Sequence, residues 1–176
     1  AEMAGIPVNQ NAKDVVRHFG MKVESQILAD AKHEKTRAFL QSQAFPLMPF
    51  AKEALSACAE AGYTLGIVTG GSGLSVKRTL ETYGFDRYIK TVVAAEDVEH
   101  SKPAPDCYLK AAAQLNATSK QCIAVEDTQH GLEAAINAGI RCVVVPTSHS
   151  EKHDFRSATS QYLSLRDWVE AEITSR

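Results

Sequence analysis

An α/β fold built on a parallel sheet is predicted by two features of the sequence. Short continuous apolar runs, such as Tyr63–Val68 and Cys122–Val125, alternate with segments of helical periodicity. Strands that stay apolar on both faces belong to parallel sheets covered by helices on each side. The 176 residues are enough for one such domain and a small accessory piece.

The elements follow in order. Residues 1 to about 45 show helical spacing throughout, with Val15, Val16 and Phe19, then Ile27, Leu28 and Ala31, then Ala38 and Phe39, separated by charged residues. Gly20 is a stop for the first of these helices, and Pro46 and Pro49 mark a boundary. The chain therefore divides into a helical segment at 1–45 and an α/β core at 46–176. In the core a helix over 50–61 ends at Gly62 and a strand spans Tyr63–Val68. The turn TGGSG leads to a helix near 73–83 that stops at Gly84. A strand over Thr91–Ala95, a helix over 105–115 opened by Pro105, and a strand over Cys122–Val125 come next. A helix over 129–138 closes at Gly139, followed by a strand over Arg141–Val145. A short strand at Tyr162–Leu163 and a last helix around Asp167 complete the chain.

Composition narrows the function classes. A net charge of −2 and a pI of about 6.3 argue against nucleic acid or an anionic membrane as the partner. No apolar run approaches the roughly 20 residues of a membrane span, and the start AEMAGIPVNQ lacks the marks of a secretory signal. Cys58, Cys107, Cys122 and Cys142 form no C-x-x-C pair and read as reduced, hydrophobic cysteines of a cytoplasmic protein.

In parallel sheets ligands gather at the carboxyl ends of the strands, and three of these ends carry chemistry. The first is Thr69-Gly70-Gly71-Ser72-Gly73. A hydroxyl followed by glycines brings backbone N–H groups and a helix N-terminus against an anion. The pattern is neither G-x-G-x-x-G nor a P-loop, and a plain structural turn is the competing reading. After the second strand comes His100-Ser101-Lys102-Pro103-Ala104-Pro105. The prolines stiffen the backbone beside Lys102, whose alternative fate is a solvated loop. The third strand leads into Glu126-Asp127-Thr128. Adjacent acids at a strand end suit Mg²⁺, while an N-cap at Asp127 or Thr128 is the structural alternative.

Thr69, Lys102 and Asp127 lie 33 and 25 residues apart, each gap fitting one strand–helix crossover. A hydroxyl donor, a held cation and an acid pair thus converge on one sheet edge. That combination suits phosphoryl transfer, in which catalysis is mostly positioning and charge neutralisation.

These segments resemble the motifs of the haloacid dehalogenase superfamily. IVTGGSG is similar to its second motif, HSKPAPDCYLKAAAQL to its third and AVEDTQHGLEAAINAGI to its fourth. SKPAPD and EDTxxG resemble the branch holding β-phosphoglucomutase and phosphoglycolate phosphatase, and residues 1–45 resemble the rear of its helical cap. The resemblance implies a Rossmann-like core in a Mg²⁺-dependent phosphatase acting on a small phosphorylated metabolite, either a sugar phosphate or phosphoglycolate. It implies that Thr69, with Gly70 and Gly71, binds the phosphoryl group and that Lys102 stabilises it and the nucleophile. Asp127 would be a direct metal ligand, with Glu126 in or beside the coordination shell. A phosphomutase shares all of these residues, and a non-catalytic phosphate-binding fragment is the reading from another class.

In the family an aspartate of a D-x-D motif attacks phosphorus, and no D-x-D occurs in these residues. The resemblance places that motif on a strand between the one ending at Thr69 and the one ending at Glu126. The chain as given is therefore expected to be inactive and to be part of a longer gene product. A short protein that lost catalysis and a strand donated by a partner segment are the alternatives. Among the smaller signals, His130 reads as a surface helix residue, and His149 and His153 as parts of a solvated loop. Arg17, Lys32, His33, Lys35 and Arg37 read mostly as a solvated helix face, from which one or two residues could reach a substrate.

Overall fold

The computed structural model describes residues 8–175. The start of the leading helical segment, residues 1–7, lies outside them. Helices α1 (Val8–His18) and α2 (Ser25–Ser42) form a hairpin, and the core follows as alternating elements. These are α3 (Ala51–Glu60), β1 (Leu65–Val68), α4 (Gly73–Tyr83), β2 (Ile89–Val93), α5 (Asp106–Gln114) and β3 (Ile123–Glu126). Then come α6 (Gln129–Asn137), β4 (Arg141–Val144), β5 (Ser160–Gln161) and α7 (Leu165–Glu172), with short 3-10 turns at Ala95–Asp97 and Ser119–Gln121.

Every strand pairing is parallel, as the apolar runs predict. The strands form two sheets, β1-β2 and β3-β4-β5. Among the described residues no ladder joins β1 to β3.

β4 shows why the fold holds. Successive side chains of a strand point to opposite faces. Cys142 and Val144 enter one apolar cluster with Leu132, Ala134 and Ala135 of α6. Val143 and Val145 enter another with Trp168 and Val169 of α7 and Ala54 of α3. Residues 142–144 are 0% exposed. The alanines of α6 let that helix lie close to the sheet.

The other strands are less covered. In β1, Gly66 is exposed and its neighbours are half-buried, and Val125 of β3 is 36% exposed. Among the described residues β4 has a strand on each side, whereas β1 pairs only with β2, and β3 only with β4.

Several boundaries differ from expectation for local reasons. β2 begins two residues earlier than the apolar run suggests, and it ends two residues earlier because the Asp97 carboxylate accepts the Ala94 N–H at 2.8 Å and turns the chain. β1 starts at Leu65, since Tyr63 N–H is still bonded to Cys58 O at the end of α3. β5 falls at Ser160–Gln161, before the expected Tyr162–Leu163, and Leu163 is 92% exposed. In the hairpin, Phe19 and Ile27 are exposed although they fit the helical period, because two helices bury a single seam, at Ala12, Ala29 and Leu40. The glycine stops hold, and Gly84 closes α4 in the left-handed region at φ 68°.

Candidate active site

β1 delivers Thr69 to the sheet edge. Its N–H donates to Val93 O at 2.9 Å, extending the β1–β2 ladder by one residue. The turn beyond is tied from several sides. Gly71 N–H donates to Thr69 Oγ1 at 3.0 Å, Gly73 N–H donates to Glu96 Oε1 at 2.8 Å, and Gly71 O accepts from Ala95 N at 3.1 Å. Gly71 therefore spends its N–H inside the turn, where the sequence suggested an N–H offered to an anion. The bond also orients Thr69. With one lone pair of Oγ1 occupied, its O–H proton is left to donate outward.

Lys102 is far from solvated. Its side chain is 7% exposed, and Nζ donates to Val68 O at 3.2 Å and to Glu126 Oε1. The same ammonium lies 5.2 Å from the centroid of the Tyr108 ring. One cation thus spans the carboxyl ends of β1 and β3, which no ladder connects.

Glu126 is the last residue of β3 and is buried. Its Oε1 accepts from Lys102 Nζ and from the Tyr108 hydroxyl. Burial, and then the Glu126 carboxylate, push the Tyr108 phenol well above its usual pKa. A Cβ on residue 131 would overlap the Glu126 carboxylate, so any larger residue in this first turn of α6 would have to displace Glu126.

Asp127 is half-buried just beyond β3. Thr128 takes the N-cap of α6, its hydroxyl accepting Gly131 N–H at 3.3 Å, so capping does not account for Asp127. Burial first, and the negative Glu126 second, raise the Asp127 pKa, with Lys102 opposing them. A carboxylate in that setting is favoured in its charged form by a cation.

A cavity of about 410 Å³ is lined by Thr69, Gly70, Gly71, Lys102, Glu126 and Asp127, the full set of candidates from the sequence. Val8 of α1 and Lys32 of α2 close over it, which selects Lys32 from the basic residues of the hairpin. A second cavity of about 290 Å³, beside Met48, Val145 and Leu165, has no titratable lining residue.

The fit to Mg²⁺ can be judged from the donors. Among the described residues no group of three His, Cys, Asp or Glu side chains gathers. Mg²⁺ needs only one or two carboxylates when water and substrate oxygens complete its shell. Asp127 meets that need, while Glu126 Oε1 is engaged by Lys102 and Tyr108.

Three residues of this region were missed or misread from sequence. Tyr108 reads as one more apolar position of a helix. His153, expected in a solvated loop, accepts Gln129 N–H on Nδ1 at 3.2 Å and ties its loop to the first turn of α6. Asp154 N–H donates to Gln129 Oε1 at 3.2 Å in the same contact. His130 is half-buried, where a surface position was expected, and its Nδ1 has no hydrogen-bond partner.

A parallel α/β core with polar residues at successive strand ends defines a broad class, and the comparison with known families makes it specific. The chain belongs to the haloacid dehalogenase-like hydrolases, whose family model matches residues 6–145. Protein CbbY of Cupriavidus necator is 34% identical over 146 residues, covering 79% of this chain and 57% of that protein. Hexitol phosphatase B of Escherichia coli is 30% identical over 106 residues, covering 60% of this chain and 48% of that one. The crystal structure of CbbY from Rhodobacter sphaeroides in complex with phosphate matches with a TM-score of 0.78 at 24% identity. That match covers 90% of this chain and 73% of the other, and it establishes the shared fold. The chain spans about half the length of the curated relatives it matches. No helix among the described residues is long and apolar enough to cross a membrane.

Proposed function

We propose that the protein is a Mg²⁺-dependent phosphatase that removes phosphate from a small phosphorylated metabolite, a sugar phosphate or phosphoglycolate. The observation that carries this reading is the single cavity faced by Thr69, Lys102 and Asp127. Hexitol phosphatase B among the relatives supports the substrate class.

Each residue then has a defined task. The Thr69 hydroxyl and Lys102 Nζ donate to phosphoryl oxygens and balance their charge. Asp127 would hold Mg²⁺, which supplies further neutralisation of the phosphoryl group when bound. A carboxylate nucleophile brought between the ends of β1 and β3 would attack phosphorus. An O–P bond forms as the bond to the substrate's ester oxygen breaks, and that oxygen takes a proton from a general acid, the task that the resemblance gives to the second aspartate of D-x-D. Water then hydrolyses the acyl phosphate to inorganic phosphate. Lys102 Nζ bonds to the last residues of both strands, which supports a role in neutralising both the carboxylate and the phosphoryl group.

The test is phosphate release from a generic aryl phosphate by the full-length protein. Release should require Mg²⁺ and should be lost in Asp127→Asn. Undiminished release by that variant would remove Asp127 from the metal site. A panel of phosphorylated metabolites would then rank substrates by kcat/KM.

A further inference from the structure

We infer that Tyr108 is a positioning residue for Lys102, acting through Glu126; the role of Lys102 in this inference rests on the proposed phosphatase reading. A lysine ammonium has three N–H donors. In this chain one goes to Val68 O and one to Glu126 Oε1. A single donor is left for the cavity that Lys102 lines. Its direction depends on how firmly the other two are held.

The Val68 carbonyl is fixed by the backbone of β1. Glu126 is a flexible side chain and needs a restraint of its own. It has two. On one side the backbone at Gly131 closes against the carboxylate, where even a methyl group would overlap it. On the other the Tyr108 hydroxyl donates to the same Oε1 that takes the ammonium. Tyr108 is itself immobile, being 7% exposed on α5, which packs against β1, β2 and α6. Its hydroxyl is therefore a rigid stop that sets where Glu126 holds the amine.

The arrangement also divides the acid pair. Both acids line the cavity, but Glu126 Oε1 is taken up by Lys102 and Tyr108, while Asp127 is relieved of capping by Thr128. Loss of the Tyr108 hydroxyl should thus reach the phosphoryl site through Lys102 and leave the metal site nearly untouched. A role limited to filling space would be preserved by phenylalanine.

Tyr108→Phe in the full-length protein tests this in two ways. With ¹³C-labelled lysine, assigned by comparison with Lys102→Arg, the two Hε protons of Lys102 should be distinct in the wild type. In Tyr108→Phe they should merge as the side chain gains freedom. In parallel, affinity for inorganic phosphate at saturating Mg²⁺ should fall about five- to tenfold, while affinity for Mg²⁺ alone should change by less than about twofold. Distinct Hε protons in the variant overturn the inference, and so does an equal loss of phosphate and Mg²⁺ affinity. If the wild type fails to bind phosphate, the phosphatase reading fails, and the lysine spectrum still decides whether Tyr108 orients Lys102. Should Tyr108→Phe not fold, Glu126→Ala, which removes the acceptor that Lys102 and Tyr108 share, is the second variant. It also must merge the Hε signals, and separate signals there would equally overturn the inference.

Discussion

At the scale of single residues, the site holds charges that the fold alone does not favour. Asp127 is half-buried next to Glu126, and both burial and that neighbour oppose its ionisation. An acid whose pKa is raised on folding is stabilised in its protonated form, and its contribution turns unfavourable as pH rises through the folded-state value. At neutral pH without metal, Asp127→Asn should therefore raise the melting temperature, although the same variant should lose hydrolysis. Thermal denaturation in a chelator measures this, and a lower melting temperature in the variant would show that Asp127 is held by partners other than a metal. That Thr69, Lys102, Glu126 and Asp127 gather at one cavity was legible in the sequence, because glycines, prolines and paired acids are unusual beside apolar runs. Tyr108 was not, because its hydroxyl meets Glu126 across 18 residues of sequence, and a buried tyrosine has the same helical period as any core residue.

At the scale of elements, the helical hairpin contributes to the same cavity as the strand ends, and under the proposed reading it is the part that meets the substrate. α2 is exposed along most of its length, yet Lys32 lines the cavity together with Val8 of α1. If the strand ends bind the phosphoryl group as proposed, a cation contributed by the hairpin would meet polar groups on the rest of the substrate. Lys32→Ala should raise KM for the preferred metabolite about tenfold and lower kcat less, as expected when binding common to ground state and transition state is removed. Steady-state kinetics on that metabolite check this, and an equal fall in kcat with KM untouched would instead place Lys32 at the reacting atoms. The alternation of helices and strands was legible because the apolar period changes at each boundary. The strand ends were not, since side-chain bonds to the backbone, such as Asp97 to Ala94, stop β2 before its apolar run is exhausted. Nor could periodicity select Lys32 from five basic residues, because which face of α2 meets the core is settled by packing of the hairpin.

At the scale of the whole molecule, stability is unevenly spread between the two sheets. β4 is flanked by strands and covered on both faces, and it carries Cys142, whose thiol burial pushes up to about 12. Among the described residues β1 pairs on one side only, and its residues are half-buried or exposed. The short apolar runs foretold parallel strands, but a run of four residues does not encode its neighbours; at the level of sequence only the resemblance, which places a further strand between the one ending at Thr69 and the one ending at Glu126, set β1 apart from β3. Local opening costs least where few apolar contacts and few ladder bonds must be broken. Amide hydrogen exchange on the chain of 176 residues should therefore place Cys142, Val143 and Val144 in the slowest class, opening only with global unfolding. Residues 65–68 should exchange through a smaller opening that depends less on denaturant. The two classes differ because one opening exposes a single edge strand and the other exposes the whole core. If β1 were as protected as β4 and shared its denaturant dependence, the sheets would unfold as one cooperative unit. Lys102, which bonds to the end of β1 and the end of β3, would then be the connection to remove next, with Lys102→Met expected to separate the two classes.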